Sequence, residues 1–317
     1  MKVISNNDIK KLGISASMCT EWVKESFALK EKSILPPKVS IHPRGIDFFT
    51  TMPCVINTNQ ETKYFGCKII HRLTGVVPSL GSDLLLYDAV SGTLLAMLDS
   101  DWITAMRTGA VASLATKTFK KRNTEKYGFV GLGNTARATL LCLLETEPDI
   151  IHKVILLQYK NQSDLFIERF REYSNVVFMV ADSIEEMVAS SDVIISCITE
   201  TESLVCPDTD LFKKGCLVVP VHTRGFQNCD LFFDKVFADD TEHVKNFKYF
   251  DKFNKFAEFG DVLCGKCRGR ESEDERILSY NVGLGLHDVF FAIKIYQLLK
   301  DSAEDVLVEH EQKKYWV

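Results

Sequence analysis

The pattern of apolar and polar positions changes twice along the 317 residues of the chain. Apolar positions recur at helical spacing over Ser15–Lys32, which predicts a helix that serines can cap. Short apolar runs follow Pro36 and Pro37 and predict strands separated by turns, at Lys38–Ile41, Tyr64–Ile70, Leu84–Tyr87 and Thr93–Leu98. The alanine-rich segment Thr104–Phe119 predicts a second helix. This first third of the chain is therefore typical of an α+β domain.

A regular alternation of strands and helices begins after the charged, turn-prone stretch Lys120–Lys126, the best candidate for a domain boundary. The predicted strands are Tyr127–Val130, Val154–Leu157, Val176–Val180, Val193–Cys197, Leu217–Val221 and Val236–Ala238. The predicted helices are Asn134–Glu145, Asp164–Glu172 and Ser183–Ala189, with a late one at His287–Lys300. Such nearly continuous apolar strands predict a parallel sheet covered on both faces, and right-handed crossovers make it doubly wound.

Composition narrows the class of protein. The length favours two domains, and 46% hydrophobic with 26% charged residues is typical of a globular protein. A net charge of −5 argues against a nucleic-acid surface. No apolar run approaches the roughly 18 residues of a membrane span, and the first residues lack a secretory pattern, so we expect a cytoplasmic protein without membrane contact.

The ten cysteines are scattered along the chain and favour reduced, mostly buried thiols. Cys264 and Cys267 form a lone C-x-x-C with no second pair at zinc-site spacing. A loop with two incidental thiols explains this pair better than a zinc or redox site, and we expect no metal.

The glycine-rich turn Gly131-Leu-Gly133-Asn134-Thr135-Ala136 fits the pattern G-x-G-x-x-A between a predicted strand and a predicted helix. Gly131 permits the tight turn, and Gly133 allows backbone N–H groups to approach a pyrophosphate. Ala136 permits close helix–strand packing. Because the helix N-terminus then faces the phosphates, this turn predicts a bound dinucleotide rather than an empty tight turn.

The end of the next predicted strand bears on the choice of cofactor. An acidic residue commonly accepts the ribose hydroxyls there, but this chain has Gln158 and Lys160. Lys160 suits a 2′-phosphate, whereas Gln158 equally suits a ribose hydroxyl. NAD(H) and NADP(H) therefore both remain open.

Several stretches together resemble the ornithine cyclodeaminase/mu-crystallin family. The most specific is Ile103-Thr-Ala-Met-Arg107-Thr108-Gly-Ala110, which precedes the glycine turn by about twenty residues. The other stretches are Thr51–Pro53, Gly66–Lys68, Leu84–Gly92 and Gly265–Arg270, in an order that spans nearly the whole chain.

The resemblance implies a fold and an activity. Residues 1–116 and 290–317 would form a substrate-binding domain that also makes a homodimer, and residues 117–289 an NAD(P)-binding Rossmann domain. The activity would be redox chemistry at the α-carbon–nitrogen bond of an amino or imino acid. Gly283 would join the glycine turn in contacting the cofactor, since Asn281–Gly285 and Asp288 resemble the family segment near the nicotinamide. Thr108 is a further predicted cofactor contact.

The resemblance also implies the substrate site. Arg44 and Arg107 match the family's carboxylate-binding arginines, and guanidinium groups bind carboxylates in bidentate fashion. Lys68 matches the active-site lysine. A desolvated lysine among cationic neighbours should have a lowered pKa, which favours proton transfer at neutral pH. Arg72 follows on the same strand face and either binds a second anionic group or is a surface charge.

Arg224 departs from the family pattern. Cyclodeaminases carry an aspartate after the strand corresponding to Leu217–Val221, and our alignment puts Arg224 there. An arginine would repel the terminal ammonium of ornithine and would suit an additional carboxylate or phosphate. We therefore expect an amino-acid dehydrogenase or imine reductase. Ornithine or lysine cyclodeaminase is the alternative, and a non-enzymatic binding protein of mu-crystallin type is the second alternative.

Overall fold

In the computed structural model, which describes residues 1–58, 63–199 and 201–307, the chain forms two β-sheets in two compact units. The first unit comprises Met1–Ile14, Leu29–Thr104 and the chain from Asp288 onward. The second comprises Ser15–Ala28 and Ala105–His287. The domain bounds drawn from the sequence stay a prediction. The compact units differ from these bounds. Ser15–Ala28 belongs to the second unit, and the chain passes from the first unit to the second after Thr104.

The sheet of the first unit has seven strands in the order β15-β1-β6-β5-β4-β3-β2. Their bounds are β1 (Lys2–Ile4), β2 (Val39–Ile41), β3 (Phe48–Asn57), β4 (Lys63–Arg72), β5 (Leu80–Asp88), β6 (Leu94–Asp99) and β15 (Glu304–Asp305). All neighbours pair antiparallel except β1 and β6. Burial alternates along β3, where Thr50, Met52, Cys54 and Ile56 are buried and their neighbours are not. One face therefore forms the core, as a period of two requires.

The sheet of the second unit has eight strands, and every pairing in it is parallel. The strands are β7 (Lys126–Val130), β8 (His152–Leu157), β9 (Val176–Ala181), β10 (Val193–Ser196), β11 (Leu217–Pro220), β12 (Lys235–Ala238), β13 (Ala257–Glu258) and β14 (Ile277–Tyr280). They lie in the order β13-β12-β14-β11-β10-β7-β8-β9. The central strands β10, β11, β12 and β14 are buried throughout, which is typical of a parallel sheet covered on both faces. The predicted doubly wound sheet is confirmed.

Nine helices accompany the two sheets in the described ranges: α1 (Asn6–Lys11), α2 (Ala16–Ala28), α3 (Asp101–Phe119), α4 (Asn134–Thr146), α5 (Gln162–Arg169), α6 (Ile184–Ser190), α7 (Thr241–Val244), α8 (Phe259–Leu263) and α9 (Gly285–Leu299). Among them, none is long and apolar enough to cross a membrane. The first predicted helix ends at Ala28, earlier than the sequence suggested. Glu145 in α4 accepts hydrogen bonds from the backbone N–H groups of Ala16 (2.7 Å) and Ser17 (3.2 Å), which anchors α2 in the second unit.

Candidate active site

The glycine-rich turn lies between β7 and α4 in the second unit. Gly131 has φ +78°, and a Cβ there would come within 2.8 Å of the carbonyl group of Cys197. Only glycine satisfies both conditions. Gly133 is the N-cap of α4, and no atom lies within 4 Å of where its Cβ would be. The space before the helix is open, and Ala136 is fully buried behind it. This geometry fits a pyrophosphate held by the first N–H groups of α4, which begins with Asn134 and Thr135.

Strand order adds a second indication of a ligand site at this edge. The chain proceeds from β7 to β8 and β9 on one side and returns to β10 and β11 on the other. Ligands of doubly wound sheets bind where the order reverses, at the carboxyl ends of the strands. Gln158 and Lys160 follow β8 at the same edge. The side-chain amide of Gln158 donates to the carbonyl of Lys160 at 2.7 Å, and the Lys160 ammonium lies 5.2 Å from the ring centre of Tyr159.

Arg107 and Gly283, predicted separately from the sequence, lie against each other in the second unit. Arg107 is on α3 and is 5% exposed, next to the half-buried Thr108. Gly283 has φ +81°, and a Cβ on it would collide with the Arg107 guanidinium. The N–H of Gly283 donates to the Asp239 carboxylate at 2.8 Å. A side chain at position 283 would therefore displace the guanidinium.

His222 and Ser196 form a hydrogen-bonded pair to which the sequence analysis gave no role. His222 follows β11, Ser196 ends β10, and the Nε2–Oγ distance is 2.7 Å. Burial lowers the pKa of His222 to about 4, so the ring is neutral at neutral pH. No sequence pattern indicated this pair, because it depends on the adjacency of β10 and β11.

Lys68 lies in the middle of β4 in the first unit, with no exposed surface. Its Nζ donates to Oδ1 of Asp288 at 2.7 Å and to Oγ1 of Thr104 at 3.2 Å. Asp288, in the first turn of α9, is also fully buried. The hydroxyl of Ser82 on β5 lies 2.9 Å from that of Thr104, and the Asp101 carboxylate accepts from the Ser82 N–H at 2.6 Å. The lysine is thus held in place by a hydrogen-bonded network.

The neighbour that the structure brings to Lys68 differs from the expectation. Cationic neighbours are expected from the sequence, whereas the Asp288 carboxylate lies beside the Lys68 ammonium, and an opposite charge favours the charged form of a lysine. Arg72 lies four residues further along β4, in the same alternation phase, with its guanidinium 5.5 Å from the Phe48 ring centre.

Arg44 lies at the surface of the first unit, with 72% of its side chain exposed. Its Nε donates to the Asp47 carboxylate at 2.7 Å. Hydrogen bonds from Thr74 and Arg44 lower the pKa of Asp47 to about 2. This contact orients Arg44 locally, and its predicted role toward a substrate carboxylate stays a prediction.

Arg270 and the pair Cys264 and Cys267, all in motifs that the sequence singled out, lie in loops of the second unit. Arg270 donates to the backbone carbonyls of Phe119 (2.7 Å), Gly215 (3.0 Å), Ser272 (3.1 Å) and Glu275 (2.5 Å), so it stabilises the loops around it. Cys264 and Cys267 are free thiols. Within the described ranges, no group of three or more His, Cys, Asp or Glu side chains is arranged to hold a metal ion.

The sequence matches the ornithine cyclodeaminase/mu-crystallin family over residues 2–303. The chain belongs to this family. The predicted resemblance is therefore confirmed, and the match includes every strand of both sheets except β15 and all the candidate site residues considered above.

Three known proteins illustrate the similarity. A nodulation efficiency protein of Rhizobium meliloti is 24% identical over 284 residues, covering 87% of each chain. The N-((2S)-2-amino-2-carboxyethyl)-L-glutamate dehydrogenase of Staphylococcus aureus is 25% identical over 244 residues, covering 72% of this chain and 69% of that one. The structure of Thermococcus litoralis Delta(1)-pyrroline-2-carboxylate reductase, in complex with NADH and L-proline, superimposes with a TM-score of 0.83 at 22% identity, over 96% of this chain and 100% of that one. The predicted fold, a Rossmann sheet with an α+β unit, is confirmed.

Proposed function

We propose that the protein is an NAD(P)-dependent oxidoreductase that acts on the C–N bond of an amino or imino acid. The buried pair of Lys68 and Asp288, with a nitrogen–oxygen distance of 2.7 Å, is the observation that carries the proposal. Fully buried ion pairs contribute little net stability, because the cost of desolvation offsets the attraction between the charges. A proton-transfer group held ready is a better reason for a fully buried lysine in the middle of a strand.

A nicotinamide cofactor would be held at the carboxyl edge of the parallel sheet. The residues assigned to it are Thr108, Gly131, Gly133, Asn134, Thr135, Ala136, Gln158, Lys160 and Gly283. The open space before α4 and the close approach of Gly131 to Cys197 support this assignment. When bound, the cofactor supplies or accepts a hydride at the substrate carbon. NAD(H) and NADP(H) are both compatible with Gln158 and Lys160.

The substrate carboxylate is assigned to Arg107 and Arg44, with Arg72 as a further cation. Reduction of an imine needs a hydride at carbon and a proton at nitrogen, and the ammonium of Lys68 supplies the proton. Asp288 is the positioning residue, since its carboxylate holds the Lys68 Nζ. In the direction of oxidation the neutral lysine accepts the same proton.

The relatives support the reaction class. One is named as a pyrroline-2-carboxylate reductase and another as a dehydrogenase of an N-substituted glutamate. Both names describe chemistry at a carbon–nitrogen bond beside a carboxylate. The first unit would serve as the substrate domain, and the second unit as the cofactor domain. The cytoplasmic location stays a prediction.

The test is a panel of 2-oxo acids with amines, cyclic imines and free amino acids, followed at the nicotinamide absorbance with both cofactors. We expect reduction of at least one imino acid and oxidation of the corresponding amino acid. Conversion of L-ornithine to proline and ammonia without net NADH would show a cyclodeaminase instead. Cofactor binding without any turnover would favour the non-enzymatic alternative.

The seven-stranded sheet also supports a homodimer. The face opposite the core carries three partly exposed apolar side chains, Phe49 (41%) on β3, Ile69 (40%) on β4 and Met97 (39%) on β6. An apolar face of this kind on a sheet is typical of an interface between proteins. We therefore propose that two copies pair through this face.

A further inference from the structure

A cavity of about 820 Å³ lies in the second unit, at the carboxyl ends of β10 and β11. The loops that follow these two strands line it, together with the segment after α7. Sites for small molecules commonly measure about 300–1,000 Å³. None of the residues assigned above to the cofactor lines this cavity, so its contents need a separate explanation.

The lining of the cavity has two cations and one acid. Arg224 and Lys248 both line it and are exposed, and Glu202 is the acidic residue among the lining side chains. In the part of the chain that the structure describes, neither cation forms an ion pair with an acidic side chain. The Lys248 ammonium lies 4.8 Å from the ring centre of Tyr249. The cavity thus presents two positive charges to a ligand.

The apolar part of the lining suits a short carbon chain. Leu231, Phe247 and Tyr249 line the cavity, and Leu231 is 52% exposed. Apolar walls with a few convergent polar groups are typical of sites that bind small organic molecules. A ligand with both an anionic end and a hydrocarbon segment therefore fits better than an inorganic ion.

The loop that carries Arg224 is fixed by hydrogen bonds. The carbonyl of Gly225 accepts from the Val205 N–H at 2.8 Å, and the Gly225 N–H donates to the Gln227 side chain at 2.8 Å. The side-chain amide of Asn228 donates to the Cys206 carbonyl, also at 2.8 Å. These bonds tie the loop after β11 to the loop after β10, so Arg224 starts from a pre-organised backbone.

The cavity lies at the ends of β10 and β11, on the other side of β7 from β8. The adenosine end of a bound dinucleotide would lie on the β8 side of the glycine turn, where Gln158 and Lys160 are. The other end must extend toward β10 and β11. Cys197, within 2.8 Å of the Cβ position of Gly131, begins the loop that continues to the cavity.

We infer that this cavity receives a second carboxylate, on the side chain of the substrate, and that Arg224 and Lys248 bind it. The preferred substrates are then dicarboxylic imino and amino acids. This inference rests on the proposed function and adds the substrate class to it. Arg224, which departs from the cyclodeaminase pattern, becomes the residue that selects the substrate.

The experiment compares substrates of equal chain length. Ammonium with 2-oxoglutarate or with 2-oxopentanoate gives five-carbon imino acids that differ in the second carboxylate. We expect kcat/KM to be about 10- to 100-fold higher for the dicarboxylic substrate, the range for a charge-assisted hydrogen bond. Arg224→Gln and Lys248→Met should each remove most of that preference by lowering kcat/KM for the dicarboxylic substrate. Arg169→Gln and Lys214→Met, exposed cations elsewhere in the unit, should keep it.

A binding measurement separates this inference from the proposed function. With cofactor present, glutarate should raise the Tm of the wild type more than butyrate does, and the difference should vanish in Arg224→Gln. Equal kinetics for the two imino acids, or a preference that survives Arg224→Gln, would overturn the inference and leave the oxidoreductase proposal intact. No turnover of any imino or amino acid would overturn the proposed function. Selective stabilisation by glutarate would still support the anion site in that case.

Discussion

Each sheet buries one lysine, and the two lysines differ in what surrounds them. Lys68 in β4 and Lys235 in β12 both lie within 2.7 Å of a carboxylate oxygen. The partner of Lys68, Asp288, has no exposed side-chain surface. Lys235 pairs with Glu271, which is 42% exposed, and also donates to the Gly269 carbonyl at 2.7 Å.

The difference separates a structural lysine from a candidate catalytic one. The Glu271 carboxylate keeps much of its hydration, and Lys235 is at the amino end of its strand, away from the ligand edge of a parallel sheet. The pair of Lys68 and Asp288 has lost its water on both sides, a cost that attraction alone rarely offsets. We therefore expect the two lysines to respond differently to the same substitution.

The largest effect should come from Lys68→Met. Without the proton-transfer group, we expect kcat to fall by about 10³-fold while the Kd for the cofactor stays unchanged. Lys235→Met is the matched control and should lower stability without lowering turnover per folded molecule. Steady-state kinetics and cofactor titration, each corrected for the folded fraction, measure both results.

Stability must be separated from chemistry in this comparison, because Lys68→Met leaves the Asp288 carboxylate buried without its ammonium. Such a change costs about 3–5 kcal/mol. Adding Asp288→Asn should recover much of that free energy of unfolding but none of the turnover. Recovery of turnover in the double variant would show that Lys68 only balances a charge.

Many strands and helices of the second unit could be predicted from the sequence, because short contiguous segments determine them. The β7 turn and α4 are contiguous, and a parallel strand buried on both faces is recognisable as an apolar run. The central strand β14 was missed, since Ser279 interrupts the short apolar run of Ile277–Tyr280. Strand β3 was missed because its alternation runs through Thr50, Thr51 and Pro53.

The site of the first unit was only partly predictable. Lys68 was recognisable as a cation in an apolar strand, which indicates a partner without identifying it. Asp288 is 220 residues further along the chain, and no local pattern joins the two. The expectation of cationic neighbours came from the family pattern and omitted this carboxylate.

The next largest effect concerns Ile69, which follows Lys68 on β4 and lies on the opposite face. If that face forms the dimer, Ile69→Lys puts a charge into an apolar interface and should weaken dimerisation by about 100-fold or more. Leu165→Lys, at a 52% exposed position on α5, is the control. Sedimentation equilibrium over a concentration series gives both Kd values, and a monomeric wild type would refute the interface.

A smaller effect is expected at Asp230, a carboxylate buried in the second unit without a cationic partner in the described ranges. The Tyr280 hydroxyl donates to its Oδ1 at 2.7 Å. Burial raises the pKa of Asp230 to about 7. Because the unfolded carboxyl titrates near 4, the folded state binds the extra proton between pH 4 and 7, and stability from this group falls as pH rises through that window.

Asp230→Asn removes this dependence. The free energy of unfolding of the variant minus that of the wild type should increase by roughly 2 kcal/mol when the pH rises from 5 to 8. Urea unfolding at both pH values measures the gain. Asp251→Asn, at an exposed carboxylate, should show no such gain, and parallel stability curves for Asp230→Asn and wild type would contradict the prediction.

The smallest effect should appear at Lys160, the cation at the carboxyl end of β8. Its side chain is exposed beside Tyr159, so solvent weakens any attraction to a 2′-phosphate. We expect Lys160→Ala to raise the KM for NADPH about 3- to 10-fold and to leave the KM for NADH unchanged. Lys153→Ala, within β8, should change neither. An equal change in both KM values would mean that Lys160 does not contact the 2′-phosphate. The choice between the two cofactors would then depend on Gln158, whose amide suits a ribose hydroxyl and carries no charge to bind a phosphate.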